Sequence, residues 1–237
     1  MKFIFPKTIG KILFSIVFLS IYPIITQAQV NEIGFSLGTS MYSGEIVQHI
    51  DWLNPRPSGQ LYYRANLSHV VSVKIATGFG IISSSDASYN GAVNEARDHH
   101  FTTVYNDLTV MAEYNFLDYK YNSKDDVYKL SPYATFGLGV LSYNNGINPP
   151  KGATNIGAGV PFTIPFGVGV KIRTHSNWNF QWQFIANKTF TDNLDGIYEV
   201  PNATKSFTNP KTTDWYYFTG ISAGYVFYKV NCPQKMR

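Results

Sequence analysis

The chain reads as an all-β protein: an eight-stranded antiparallel up-and-down transmembrane β-barrel, with short periplasmic turns and long extracellular loops. Three observations lead there. Charged residues make up only 14% of the 237 residues and aromatics 16%, where ordinary globular chains carry roughly 25% charge. Past the first 28 residues there is no apolar run long enough for a spanning helix. Yet apolar residues recur at every second position in eight separate segments, the period of a strand with two unlike faces.

The leader comes first. Lys2, Lys7 and Lys11 precede an apolar run from Ile12 to Tyr22, and a small residue, Ala28, closes "ITQA". This is the layout of a signal peptide over 1–28, with the barrel and a short periplasmic C-terminal tail over 29–237. The next residue is Gln29 and not cysteine, which argues against a lipoprotein. Three lysines leave with the leader, removing most of the excess of 19 basic over 15 acidic residues. The basic pI is then largely an export property and gives no reason to expect a nucleic-acid partner. The single cysteine, Cys232, excludes an internal disulfide framework.

The strands follow in order. Glu32–Tyr42 sets Ile33, Phe35 and Leu37 against Gly34, Ser36 and Gly38, and Gly59–Leu67 sets Leu61, Tyr63 and Ala65 against Gln60, Tyr62 and Arg64. Val70–Ile82 opposes Val71, Val73 and Ile75 to Ser72, Lys74 and Ala76. Val104–Leu117 opposes Leu108, Val110 and Tyr114 to Thr109, Met111 and Glu113. Ser131–Tyr143 carries Ala134, Phe136 and Leu138 against Tyr133, Thr135 and Gly137. Thr163–Ile172 carries Ile164, Phe166, Val168 and Val170 against Pro165, Gly167, Gly169 and Lys171. Trp178–Lys188 and Asp214–Val230 complete the set, with Trp182 and Phe184 against Gln181 and Gln183, and Ile221 against Gly220 and Ser222. Links at 67–69, around 120–126 and at 174–177 are the shorter ones; those near 44–56, 83–102, 144–160 and 189–213 are longer. Even strand number with alternating short and long links is the plan of an outer-membrane barrel.

Alternation alone does not say which face is outside, since a soluble ligand-binding barrel also alternates. The polar face decides. A water-facing wall should carry Lys, Glu and Asp, but this one is largely Gly, Ser, Ala, Asn and Gln. Small residues suit the narrow interior of eight strands, so the bulky face is expected to meet outer-membrane lipid. Trp178, Trp215, Tyr217, Tyr225 and Phe227 fall near strand ends, where aromatic girdles belong.

Arg64, Lys74, Glu113 and Lys171 lie on the interior face, where isolated charges are very costly, so they are expected to form a lumen charge network. Elsewhere the signals for chemistry are weak. Arg97, Asp98, His99 and His100, with His49 and serines 83–85 in outward segments, permit a lipid-modifying hydrolase without demanding one. Adjacent histidines on a strand point to opposite faces and do not chelate one metal together. Asp192, Asn193 and Asp195 hint at a calcium loop but lack its terminal glutamate. The expectation is therefore no catalytic residues, no metal and no cofactor.

Several segments taken in order carry a resemblance: "SMYSGEI", "RPSGQLYYRANL", "YNDLTVMAEYNFLDY", "SPYATFGLGVLSYN", "IPFGVGVKIR", "KTFTDNLDGI" and "DWYYFTGISAGYVF". Together they resemble a Bacteroidota outer-membrane barrel family, DUF6089-like, whose best-described members are the PorG-like barrels of the type IX secretion system. The resemblance implies a non-catalytic component of a protein-secretion machine that associates with periplasmic ring proteins. Such contacts would fall at the periplasmic end, on Lys120, Lys124, Asp125 and Asp126 of the polar link and on the tail with Cys232. The alternative is a stand-alone barrel whose long loops bind an extracellular ligand.

Overall fold

The computed structural model describes residues 30–44, 50–68, 70–85, 100–117, 129–148, 157–174, 177–191, 194 and 214–228. The strands are β1 (Val30–Ser43), β2 (Arg56–Asn66), β3 (Val71–Ser85), β4 (His100–Asn115), β5 (Lys129–Asn148), β6 (Ala158–Gly159), β7 (Phe162–Arg173), β8 (Trp178–Thr189) and β9 (Trp215–Tyr228). Each stave pairs antiparallel with its neighbour in sequence, and the sheet closes where β1 meets β9. The expected leader over 1–28 and the tail lie outside the described residues.

The barrel has eight staves because β6 and β7 are one. Tyr143 pairs with Gly159 and Val140 with Phe162 in a single continuous register along β5. The break falls at Val160–Pro161; proline has no amide hydrogen to give the ladder, while its carbonyl still accepts the Leu141 amide. The sixth strand is thus longer than the alternation of "TIPFGVGVKI" alone predicts. β5 also runs on to Asn148, into a stretch expected to be link.

The two faces divide as the alternation predicts. Ile33, Leu37, Leu61, Val110, Leu138, Val168 and Ile221 are each at least half exposed, on every side of the cylinder. No water-soluble protein leaves such a continuous apolar wall uncovered. A closed barrel satisfies its backbone hydrogen bonds internally and has no open edge, the condition for crossing hydrocarbon with strands. The protein is an outer-membrane β-barrel.

The glycines of the sixth stave face the lumen, and side chains and backbone of neighbouring strands explain them. A Cβ on Gly169 would meet the Tyr133 ring at 2.6 Å, and one on Gly167 would meet Ile185 Cα at 2.9 Å. On the closing seam, Gly34 stands opposite Gly224 and Gly38 opposite Gly220, and a Cβ on Gly34 would strike the Tyr62 hydroxyl at 2.5 Å. The missing side chains are the space into which long ones from other staves reach. Gly169→Leu should therefore destabilise the barrel by about 1–3 kcal/mol through overpacking. Val168→Leu, one residue away but facing lipid, should stay within about 0.5 kcal/mol. Urea unfolding in lipid vesicles measures both.

Candidate functional site: a filled lumen

Strand register puts Glu32, Arg64 and Lys74 in one row across β1, β2 and β3. Two cations directly opposite one another repel, so a carboxylate has to stand between them. Glu113, from β4, does so. Its Oε2 lies 2.8 Å from Arg64 Nε and 2.6 Å from Lys171 Nζ, and its Oε1 lies 3.1 Å from Arg64 Nη2 and 3.7 Å from Lys74 Nζ. Arg64 Nη1 pairs with Glu32 Oε1 at 2.7 Å. All five residues are almost completely buried.

Neutral groups complete the network. Gln181 accepts from Arg64 Nη2 at 2.6 Å and donates to Ser222, which bonds Ser36 at 2.7 Å. Gln183 accepts from Lys74 Nζ at 2.9 Å and donates to Gln60 and Ser36. Asn115 accepts from Lys171 Nζ, while Tyr62 and Asn179 donate to Glu32. Lys171 Nζ also stands 4.5 Å over the Tyr133 ring. Charge-assisted bonds of this kind are the form in which buried ions are tolerated in a low-dielectric interior.

Towards the long-loop end the lumen changes character. Tyr62, Ala76, Met111, Ile185 and Phe218 form an apolar layer. Above it Asp107 accepts bonds from the Gly78 amide (2.8 Å) and the Tyr216 hydroxyl (2.7 Å). Beside Asp107 lies a cavity of about 10 Å³, lined in part by Gln60, Thr109 and Asn187, room for a single water. Tyr42, Ile82, Phe101, Tyr105, Leu141, Tyr143, Leu194 and Tyr216 then seal the mouth. Leu194 comes from the link after β8; its amide donates to Asp214 and its carbonyl accepts from Thr103.

The four charges expected in the lumen all meet in one network. Two further carboxylates belong inside as well. Glu32 opens the first strand segment, and its parity, shared with Gly34 and Ser36, was the available signal. Asp107 has the parity of Glu113 on β4 and was equally legible. The interior also holds large aromatics, so it is less uniformly small than its glycines imply. His49, Arg97, Asp98, His99, Lys120, Lys124, Asp125, Asp126, Asp192, Asn193, Asp195 and Cys232 lie outside the described residues, as does the side chain of His100.

A family model described as a domain of unknown function, DUF6089, matches residues 11–234. The chain belongs to the DUF6089 family. No curated protein matches it. Among solved structures it is similar to the N-terminal β-barrel domain of Pseudomonas aeruginosa OprF, at 16% identity over 85% of this chain and 98% of that one, TM-score 0.43. It is similar to Neisserial surface protein A at 7% identity over 83% and 97%, TM-score 0.46. The attachment invasion locus protein Ail of Yersinia pestis matches at 12% identity over 85% and 100%, TM-score 0.44. At these similarities the fold of this DUF6089 barrel rests on its own strand pairing.

Removing the shared carboxylate should be the most damaging single change in the lumen. Glu113→Gln leaves Arg64, Lys74 and Lys171 crowded without their common counter-charge, and a loss of about 3–5 kcal/mol is expected. Urea titration of the vesicle-inserted barrel, or earlier conversion to the unfolded band on heating before electrophoresis, reads the effect. A stability equal to the parent's would show that the network contributes nothing.

Proposed function

We propose that this DUF6089 barrel is a closed, non-catalytic structural component of an outer-membrane protein-secretion machine. In this reading it resembles the PorG-like barrels of the type IX secretion system and associates with periplasmic ring proteins through its short-turn end. The packed lumen is the observation that carries the reading. Ion pairs fill the barrel near the turn end and a Tyr–Phe–Leu layer closes the other, so the working surfaces are the outer wall and the two ends. The ordered motifs of the chain favour the secretion role over a free-standing adhesin.

Two measurements test it. Planar-bilayer recordings of the refolded barrel should show no steady single-channel conductance; regular openings would replace the structural reading with a pore. Purification of the full-length protein from its native membrane in mild detergent should recover periplasmic ring components. Neutralising Lys120, Lys124, Asp125 and Asp126 together, or deleting 231–237, should lower that recovery. A barrel that consistently emerges alone would remove the secretion role, and unchanged recovery from both variants would remove the turn-end contact.

A further inference from the structure

The outer wall at the long-loop end is not an evenly spaced girdle. Four rings on β7, β8 and β9 and a fifth on the link after β1 form one continuous run. Trp52, on the link after β1, stacks on Phe184 at 6.5 Å with the planes 17° apart. Phe184 stacks on Tyr217 at 5.9 Å, Tyr217 on Trp215 at 6.4 Å, and Phe166 meets Trp215 edge-on at 5.8 Å. The outward positions near the same end of β3, β4 and β5 are instead polar or aliphatic, among them Ile81, Ser85, Thr102, Val104, Asn106 and Ser142. Among the described residues, aromatic rings thus reach the rim on one side of the barrel only.

That run ends under a cation. Lys188 is the last outward-facing residue of β8, and its Nζ stands 5.7 Å over the Trp215 ring. Below the rings the wall continues as bare aliphatic and aromatic surface, with Val168, Trp182 and Ile221 about half exposed or more. From rim to mid-wall the order is therefore positive charge, flat aromatic ledge, hydrocarbon-compatible surface. A phospholipid presents the matching order of anionic phosphate, glycerol ester region and acyl chain.

We propose that this face is a binding site for one phosphate-bearing membrane lipid, with Lys188 on the phosphate and the Trp52–Phe184–Tyr217–Trp215 ledge against the ester region and upper acyl chains. Trp52 bears on this directly. It lies outside the strands and is 62% exposed, yet it is stacked on the outer wall, extending the ledge beyond what the strands supply. A lysine held over an indole is partly ordered before binding, which lowers the entropy lost when it meets an anion.

The test uses the full barrel in detergent, given equal phosphatidylglycerol and phosphatidylcholine and examined by native mass spectrometry. The parent should retain phosphatidylglycerol preferentially. Lys188→Gln should weaken that retention about fivefold, the effect of one basic residue at a membrane surface, and leave phosphatidylcholine unchanged; Lys188→Arg should keep the preference. Trp52→Ala should reduce both lipids. All variants must show the parent's heat-modifiable mobility, so that loss of fold is not read as loss of binding. Equal preference in the parent and Lys188→Gln would overturn the assignment. Displacement of the lipid by millimolar inorganic phosphate would also overturn it, because the site would then recognise the anion without its chains.

Discussion

The interior of this barrel depends on the contact between Arg64 and Glu113. Eight staves enclose a space only as wide as their own side chains, so any charge pointing inward has to be answered within reach. Arg64 is long enough to span that space: it touches Glu32 on β1, Glu113 on β4 and Gln181 on β8. Glu113 then gathers Lys171 from β7 and Lys74 from β3. Side chains from six of the eight staves are joined through two residues. The network also fixes register. Sliding a stave by one residue would turn these ions towards lipid, where an Arg or Lys costs from about 1 kcal/mol near the interface to about 2–4 kcal/mol at the midplane, and would leave the remaining carboxylates without partners.

Volume imposes the second condition, and glycine meets it. The seam between β1 and β9 offers Gly34, Ser36 and Gly38 opposite Gly224, Ser222 and Gly220. Gly137 and Gly139 on β5 with Gly167 and Gly169 on β7 form a second thin wall. Tyr62 and Tyr133 occupy the room left by these walls, and their rings in turn lie beneath the cations of the network. Glycine normally weakens a strand. At Gly34, Gly169 and Gly224 a side chain would displace Tyr62, Tyr133 or Glu32, groups that satisfy the buried charges, so backbone entropy is spent there to complete the electrostatics.

Much of this was legible in the sequence because the two faces of a barrel strand follow a strict period of two. Strand number, the lipid-facing set and the meeting of Arg64, Lys74, Glu113 and Lys171 follow from parity and from the cost of an unpaired buried ion. Parity would also have placed Glu32 and Asp107 inside, but neither is named among the charges expected there from the sequence. What parity could not reach depends on three-dimensional reach. Nothing in "TDNLDG" marks Leu194 as the residue that enters the barrel mouth; Asp214 and Thr103, distant along the chain, hold it there. Likewise no local pattern places Trp52 against Phe184. The continuation of the sixth stave through Ala158–Gly159 was hidden by Pro161, which interrupts the ladder without changing its register.

The lumen is closed by different chemistry at its two ends. Near the short turns the obstruction is ionic and polar, made of buried side chains paired with one another. Near the long loops it is a layer of Tyr, Phe, Ile and Leu side chains, whose tyrosine hydroxyls at Tyr42 and Tyr216 are engaged by Asp214 and Asp107. An ion entering from the turn side would have to break salt bridges that cannot be remade elsewhere, and would then meet a layer that does not hydrate it. Loosening one layer leaves the other in place. Conduction would require two barriers of unlike physical origin, in series, to open together. They suit the closed, structural barrel proposed above.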